Sequence, residues 1–410
     1  MKLSKETVIS LTKEQSNIIG HMNYAAYKLW NVLNYERRNW EKLGLQSHPD
    51  WYYQKKEYKD NIWYKSLPSQ SAQEVCKLLD KSWKSYFVLA KTGGIENPKP
   101  PKFKQEGIPV TYMQNGIVHE KGSSAVRLTL SKNLKSFMAE KYNIHADYLY
   151  LENTIFKNMD NIKQIKLYHP SEEKMRVIAV YEIEDVKMLE DNGHYLSIDP
   201  GINNPFTCYD SFDKCFILGK KYLNSLHYYD KKIAHYQSIY ASQQYAEKVK
   251  YPKNSKKVTA LYKKKKNTLN DYFHKCTRYI ADYCHGQGIN TVVIGDITGI
   301  RKGNDKGSAV NQQLHAFPYA QIYTMLEYKL NLYGITLIKQ YEAYSSSVSP
   351  EEKIISKETA DKGKRTKRGL FKDGNQIWNA DAVGAYNILR LYTGKEYPKK
   401  SLSSVVKAAV

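Results

Sequence analysis

The order of the apolar segments after residue 190 limits the fold more than any other feature. Three short strand-like runs, HYLSID, PFTCYD and KCFILG, follow one another directly, and then strands and helices alternate. A long Lys/Tyr-rich helical stretch spans about 220–287, followed by the strand INTVVIG, the helix FPYAQIYTMLEYKLNLYG, the strand ITLIKQYE and a last helix, DAVGAYNILRLY. Consecutive strands need only tight turns and pair antiparallel, whereas helix-linked strands return in parallel through right-handed crossovers.

That succession is the order of an RNase H-like α/β domain. The first 187 residues read differently. KLSKETVISL alternates as a strand, and Thr12 with Gln15 forms a capping-box pattern before Ile18, Ile19, Met22, Ala26, Leu29, Trp30 and Leu33, which recur at helical spacing. A second helix opens with Ser71 and Glu74 and carries Val75, Leu78, Leu79, Trp83 and Phe87, with Trp40, Trp51 and Trp63 in the connection. The glycines at 93–94 and the run NPKPPKFK end this module. From about 108 to 187, AVRLTL, IKQIKLYH and RVIAVYEIE predict strands of an antiparallel sheet or barrel that the N-terminal strand joins, so that the helices are an insertion.

Charge narrows the partner. Lys and Arg number 63 against 41 Asp and Glu, a net charge of +22, and 36 tyrosines are spread among the cations. Such an excess repels itself unless a polyanion compensates it, and aromatic faces among cations suit stacked bases beside phosphates. Nothing approaches the roughly 18 apolar residues of a membrane span, and MKLSKETVIS lacks a signal-peptide core, so a cytoplasmic, nucleoid-associated protein without a membrane partner is expected. The five cysteines form no CxxC pair and are expected to be reduced packing residues.

Two carboxylates carry the chemistry. LSIDPGINN puts Asp199 at the end of an apolar strand, where a buried acid needs a cation or a donor. In NADAVGAYN, Asp381 lies in the first turn of a helix on one stripe with Gly384, Ala385 and Ile388, where the small Gly384 and Ala385 let the helix press onto the sheet. Each has an ordinary reading, a turn Asp bonding its own backbone and a charge compensating the helix dipole. Converging on a basic surface, they suggest Mg²⁺ held by oxygen ligands and two-metal hydrolysis of a phosphodiester, with Mn²⁺ as a substitute.

LSIDPGINN, VVIGDITGI, EAYSS and RGLFKDGNQIWNADAVGAYNIL resemble the RuvC nuclease motifs of the TnpB family, transposon-encoded RNA-guided DNA endonucleases related to compact type V CRISPR effectors. The resemblance covers about 190–394, and the N-terminal half agrees in layout. It implies a multidomain α+β and α/β protein: a β-barrel wedge domain (1–10 and 106–187) with an inserted helical recognition module (11–105), then an RNase H-like RuvC domain (188–342 and 376–394), a degenerate metal-free nucleic-acid-binding loop (343–375) and a tail (395–410). The family's usual second acid ends the fourth strand, where this chain has Gly295; a rearranged branch supplies a Glu after the next strand, here Glu342. Neighbouring strands lie only about 4.8 Å apart, so a Glu can bridge them. Asp296 is the rival, although alternation turns it to the opposite face.

Relatives follow this strand with a Cys-rich zinc ribbon, whereas 343–375 holds no Cys or His, so no zinc is expected. Lys364, Arg365, Lys367 and Arg368 are expected near nucleic-acid phosphates, or simply in solvent. Lys263 and Lys264 of YKKKK read as a helix face on RNA phosphates, and Gln73 and Lys77 match the place where relatives touch the flanking motif. The implied function is RNA-guided cleavage of target DNA beside a short flanking motif, with a guide RNA transcribed from the element and double-stranded DNA as partners, one chain per RNA or a dimer. Two alternatives stay open: an RNA-guided repressor that does not cut, and a DNA-strand transferase acting on element ends.

Overall fold

The computed structural model describes residues 1–93, 95–219, 221–297, 317–360, 364–367 and 369–408, which divide into two compact units, Met1–Asp185 and Val186–Val410.

The first unit opens with β1 (Lys2–Ser10) and α1 (Lys13–Arg38). Thr12 caps α1: its Oγ1 accepts from Gln15 N at 3.1 Å and Gln15 Oε1 accepts from Thr12 N at 2.8 Å, the reciprocal box expected from the sequence. Three helices follow, α2 (Trp51–Glu57), α3 (Ile62–Lys65) and α4 (Ser69–Thr92). α4 begins behind Pro68, ahead of the predicted Ser71 cap, and no side chain caps it. Proline fixes its own φ and lacks the amide that would need a partner, so the helix opens directly after it and Ser71 is buried within the first turn. The chain continues through β2 (Val110–Met113), β3 (Ile117–His119), β4 (Ala125–Thr129), α5 (Lys132–Tyr142), β5 (Tyr148–Glu152), β6 (Ile162–Leu167) and β7 (Lys174–Glu182).

β1 pairs antiparallel with β7 from Lys2↔Glu182 to Ser10↔Lys174, in a sheet of order β1-β7-β6-β2. Helices α1–α4 are therefore an insertion between two strands of one sheet. β3, β4 and β5 form a second, separately hydrogen-bonded sheet. Asn23, fully buried on α1, donates to Ile108 O (2.8 Å) and Leu167 O (3.1 Å), satisfying a polar group in the core while fixing the helix to the strands.

The second unit contains β8 (Tyr195–Asp199), β9 (Phe206–Asp210), β10 (Cys215–Leu218), α6 (Lys221–Ala246), α7 (Lys256–Gly286), β11 (Thr291–Asp296), α8 (Tyr319–Asn331), β12 (Thr336–Tyr341), β13 (Lys364–Lys367), β14 (Leu370–Asp373), β15 (Gln376–Asn379), α9 (Ala380–Thr393) and β16 (Val406–Lys407). The helical stretch predicted as one element is two, because Pro252 cannot continue a helix and Ser255 caps the next, its Oγ accepting from Val258 N at 3.2 Å.

The main sheet has the order β12-β11-β8-β9-β10-β16. β8, β9 and β10 run antiparallel in succession, and β11 and β12 join in parallel. Leu196, Ile198, Val292 and Ile294 pack on α7 and α8, while Tyr195 and Tyr209 pack on α9. The five cysteines are free and buried. Among the described residues no helix is long and apolar enough to cross a membrane.

Candidate active site

Strand alternation decides which side chains reach α9. On β8, Leu196 and Ile198 face α7 and α8, so Ser197 and Asp199 face α9. Ser197 Oγ lies 2.7 Å from Ala385 O, joining strand to helix, and a Cβ on Gly384 would overlap the Asp199 Oδ2 and lie 3.1 Å from its Cγ. Gly384 is thus bare because the Asp199 carboxylate lies against the helix backbone.

β11 pairs with β8 through Ile294↔Ile198 and with β12 through Gly295↔Gln340, which brings Gly295 level with Asp199 on the α9 face. Glu342 lies two residues beyond Gln340, on the same face by alternation, and its side chain crosses to the neighbouring strand. A Cβ on Gly295 would overlap the Glu342 Oε2, with Glu342 Cδ and Ile388 Cδ1 each at 3.0 Å. The carboxylate of one strand occupies the volume that a side chain on the next would need.

Glu342 is half-buried, and its Oε2 is buried without a hydrogen-bond partner among the described residues. Burial, and secondarily the charge of Asp296, push its carboxyl up to about 7. A bare buried carboxylate oxygen is costly unless a cation approaches it. Asp296 falls on the opposite face by alternation; its charge reaches Tyr319 and Tyr323 of α8, and the Tyr319 hydroxyl bonds the Gly295 carbonyl.

Asp381 is set by the start of α9. Asn379 Oδ1 accepts from Asp381 N (3.0 Å) and Ala382 N (3.1 Å), so Asp381 stands in the first turn where the helix dipole favours a negative charge. Asn204, in the turn after β8, donates to Asp381 Oδ2 at 2.7 Å. Along α9 the three acids are met in turn: Asp381 itself, Asp199 at Gly384 and Glu342 at Ile388, a run of roughly 10 Å at 1.5 Å per residue. Among the described residues, no three His, Cys, Asp or Glu side chains form a group that could hold a metal ion. The acids share one face of one helix without closing into a triad.

The segment after Glu342 is fixed by residues that the sequence reading missed. Fully buried Asn387 of α9 donates to Ser345 O (2.8 Å) and Val348 O (2.9 Å), and Arg390 donates to Asn387 Oδ1 (3.0 Å) and Lys353 O (3.2 Å). Ser349 Oγ bonds Asp373 Oδ2 at 2.5 Å, and Tyr344 takes a left-handed φ of 66°. The serines thus lie in a pinned turn that holds Glu342. Two polar residues three apart in the apolar helix DAVGAYNILRLY were the available signal.

The expected nucleic-acid contacts are scattered. Lys263 and Lys264 are exposed on α7. Gln73 is half-buried, whereas Lys77 is exposed, bonded to Glu74 at 2.7 Å with its ammonium 4.9 Å from the Trp51 ring. Lys364, Arg365 and Lys367 belong to β13, but their side chains, and all of Arg368, lie outside the described residues.

Comparison with known proteins agrees with the sequence resemblance. Residues 179–301 match the OrfB_IS605 family, described as a probable transposase, and residues 319–388 match the Cas12f1-like TNB domain. No curated protein matches the chain. The fold is similar to that of the protein in a Cas12f1–sgRNA–target DNA complex, at 15% identity and a TM-score of 0.59, covering 92% of this chain and 83% of that one. The mini RNA-guided endonuclease Cas-phi3 aligns at 11% identity and a TM-score of 0.44, covering 97% and 93%.

Proposed function

We propose that this chain, a relative of the TnpB and Cas12f nucleases by both family matches, is an RNA-guided DNA endonuclease that hydrolyses phosphodiesters with Mg²⁺. The observation that carries this reading is the Glu342 carboxylate lying over Gly295, level with Asp199 and on the same face of the sheet. In the RuvC motif the acid belongs at that volume, and this chain supplies it from the next strand. The donor set suits Mg²⁺, which takes hard oxygen ligands, often only one or two carboxylates with water and phosphate completing the shell. The unpartnered Oε2 of Glu342 fits the same role.

Asp199, Glu342 and Asp381 would hold the metals only with water and substrate phosphate completing the shells, since among the described residues they do not close into one group. Bound there, the ions would activate water and neutralise charge on the reacting phosphate oxygens. The chain's own part is placement: Asn204 orients Asp381, Gly384 and Gly295 leave room for two carboxylates, and Asn387 fixes the turn behind Glu342. We assign Met1–Ser10 and 106–187 to a wedge domain, 11–105 to a recognition module, 188–342 with 376–394 to a RuvC-type nuclease and 343–375 to a metal-free loop on nucleic acid. The +22 charge suits a guide RNA and double-stranded target.

The test is to purify the protein, sequence the RNA it carries, and assay guided cleavage with Mg²⁺. Glu342→Ala and Glu342→Gln should lose about 100-fold or more, since even a group behind a metal ligand costs 10–100-fold, while guided DNA binding persists. Asp296→Ala should keep most activity. Retained cleavage in Glu342→Ala with loss in Asp296→Ala reverses the assignment. Guided binding without cleavage by the unaltered protein would make it a repressor, and RNA-independent binding of element ends would make it a strand transferase.

A further inference from the structure

Gly20 stands in the interior of α1, near its N-terminal end, where glycine costs about 1 kcal/mol relative to alanine. Gly384 on α9 has a reason to be bare, the Asp199 carboxylate. Gly20 has none among the described residues: a Cβ built there meets none of them within 4 Å. The open space is a cleft of about 720 Å³ between α1, α3 and α5, the size of a small-ligand site.

Its walls are aromatic. His21 stacks on Phe137 with ring centroids 4.1 Å apart and planes within 22°, and Tyr24 meets Trp63 edge-on at 5.5 Å. Cations cap these rings: Lys141 Nζ lies 5.3 Å from the Phe137 centroid and Lys28 Nζ 5.3 Å from that of Tyr24. Ser16, Asn17 and Asn133 line the same cleft, and the buried Ser16 Oγ has no hydrogen-bond partner among the described residues. Burial and the neighbouring Lys141 lower the His21 pKa, keeping a neutral, stackable ring.

We propose that this cleft binds the base of one unpaired ribonucleotide, which stacks on the aromatic wall and approaches the helix backbone at Gly20. A planar ring needs π-faces, which His21, Tyr24, Trp63 and Phe137 bring to the cleft, and a phosphate needs a cation, which Lys141 supplies in its lining. A duplex base has its faces already covered, so the ligand is unpaired. The side-chain amides of Asn17 and Asn133 offer partners to a ribose 2′-OH, which favours RNA over DNA. This rests on the nucleic-acid partner of the proposed function and is independent of cleavage.

The experiment is ultraviolet crosslinking of the full chain to the RNA with which it purifies, followed by mass spectrometry of the crosslinked peptides. Ribonucleotide adducts are expected on His21, Tyr24, Phe137 or Tyr142. Gly20→Leu, which fills the cleft, should lower these adducts about tenfold while adducts elsewhere persist. Gly20→Ala should raise the melting temperature by about 2–4 °C, since a helical glycine is replaced without a clash. Tyr24→Ala, at an exposed position, should lower the adducts without loss of folding. If the protein carries no RNA, the proposed function fails, and the cleft is then probed with an added single-stranded octaribonucleotide and its deoxy counterpart. Absence of adducts in the cleft while others form, undiminished adducts in Gly20→Leu, or equal capture of the deoxy probe would overturn the inference.

Discussion

Glu342 combines burial, an unpartnered oxygen and a carboxyl raised from 4.5 to about 7. The folded state therefore holds its proton more tightly than the unfolded chain. Its contribution to stability is most favourable below pH 4.5 and is lost as the pH rises through about 7, where the bare carboxylate must ionise in place. With divalent metal chelated, the melting temperature should fall between pH 5 and pH 8, and Glu342→Gln should remove most of that fall, a gain on the order of 2 kcal/mol at pH 8. Restoring Mg²⁺ at pH 8 should stabilise the unaltered protein more than Glu342→Gln. Thermal melts across pH with and without chelator check this, and a flat profile for the unaltered protein would refute it.

Among the elements, α9 organises the site. One stripe carries Asp381, Gly384 and Ile388 toward the sheet, while Asn387 and Arg390 grip the turn that follows β12. Asn387→Leu should cost about 2–4 kcal/mol, because two buried carbonyls lose their donor. It should also cut cleavage at least as steeply as stability measurements at the assay temperature allow, since Glu342 is no longer held although Asn387 touches no acid. Unchanged cleavage by a folded Asn387→Leu would remove this positioning role. Local signals made much of this scale legible: the Thr12 and Gln15 box, the alternation of β1 and β7, the apolar runs of the main sheet and the small residues of α9 could all be read within a few neighbours. The break between α6 and α7 was equally written in Pro252 and Ser255, but the Lys/Tyr-rich composition on both sides concealed it. The start of α4 was misplaced because Pro68 outweighs a serine cap.

At the scale of the whole molecule, a charge of +22 needs a compensating polyanion. The protein should purify with RNA and lose affinity steeply with salt, about three orders of magnitude or more between 50 and 200 mM if six or more phosphates are neutralised. Filter binding over that range checks it, and affinity indifferent to salt would contradict it. What the sequence could not show is likewise long-range. The crossing of Glu342 over Gly295 depends on the register of two strands paired 45 positions apart, and the hold of Asn387 on the serine turn joins segments about 40 apart. Both follow from packing rather than from any local pattern. The overlap at position 295 also constrains how such a chain can change over generations. Since positions 295 and 342 share one volume, Gly295→Glu alone should abolish cleavage by overfilling it, whereas Gly295→Glu combined with Glu342→Gly should recover part of it. Moving the acid between strands by single steps therefore passes through an inactive form, either one with both glutamates overfilling the volume or one with neither, so either arrangement, once established, is difficult to leave.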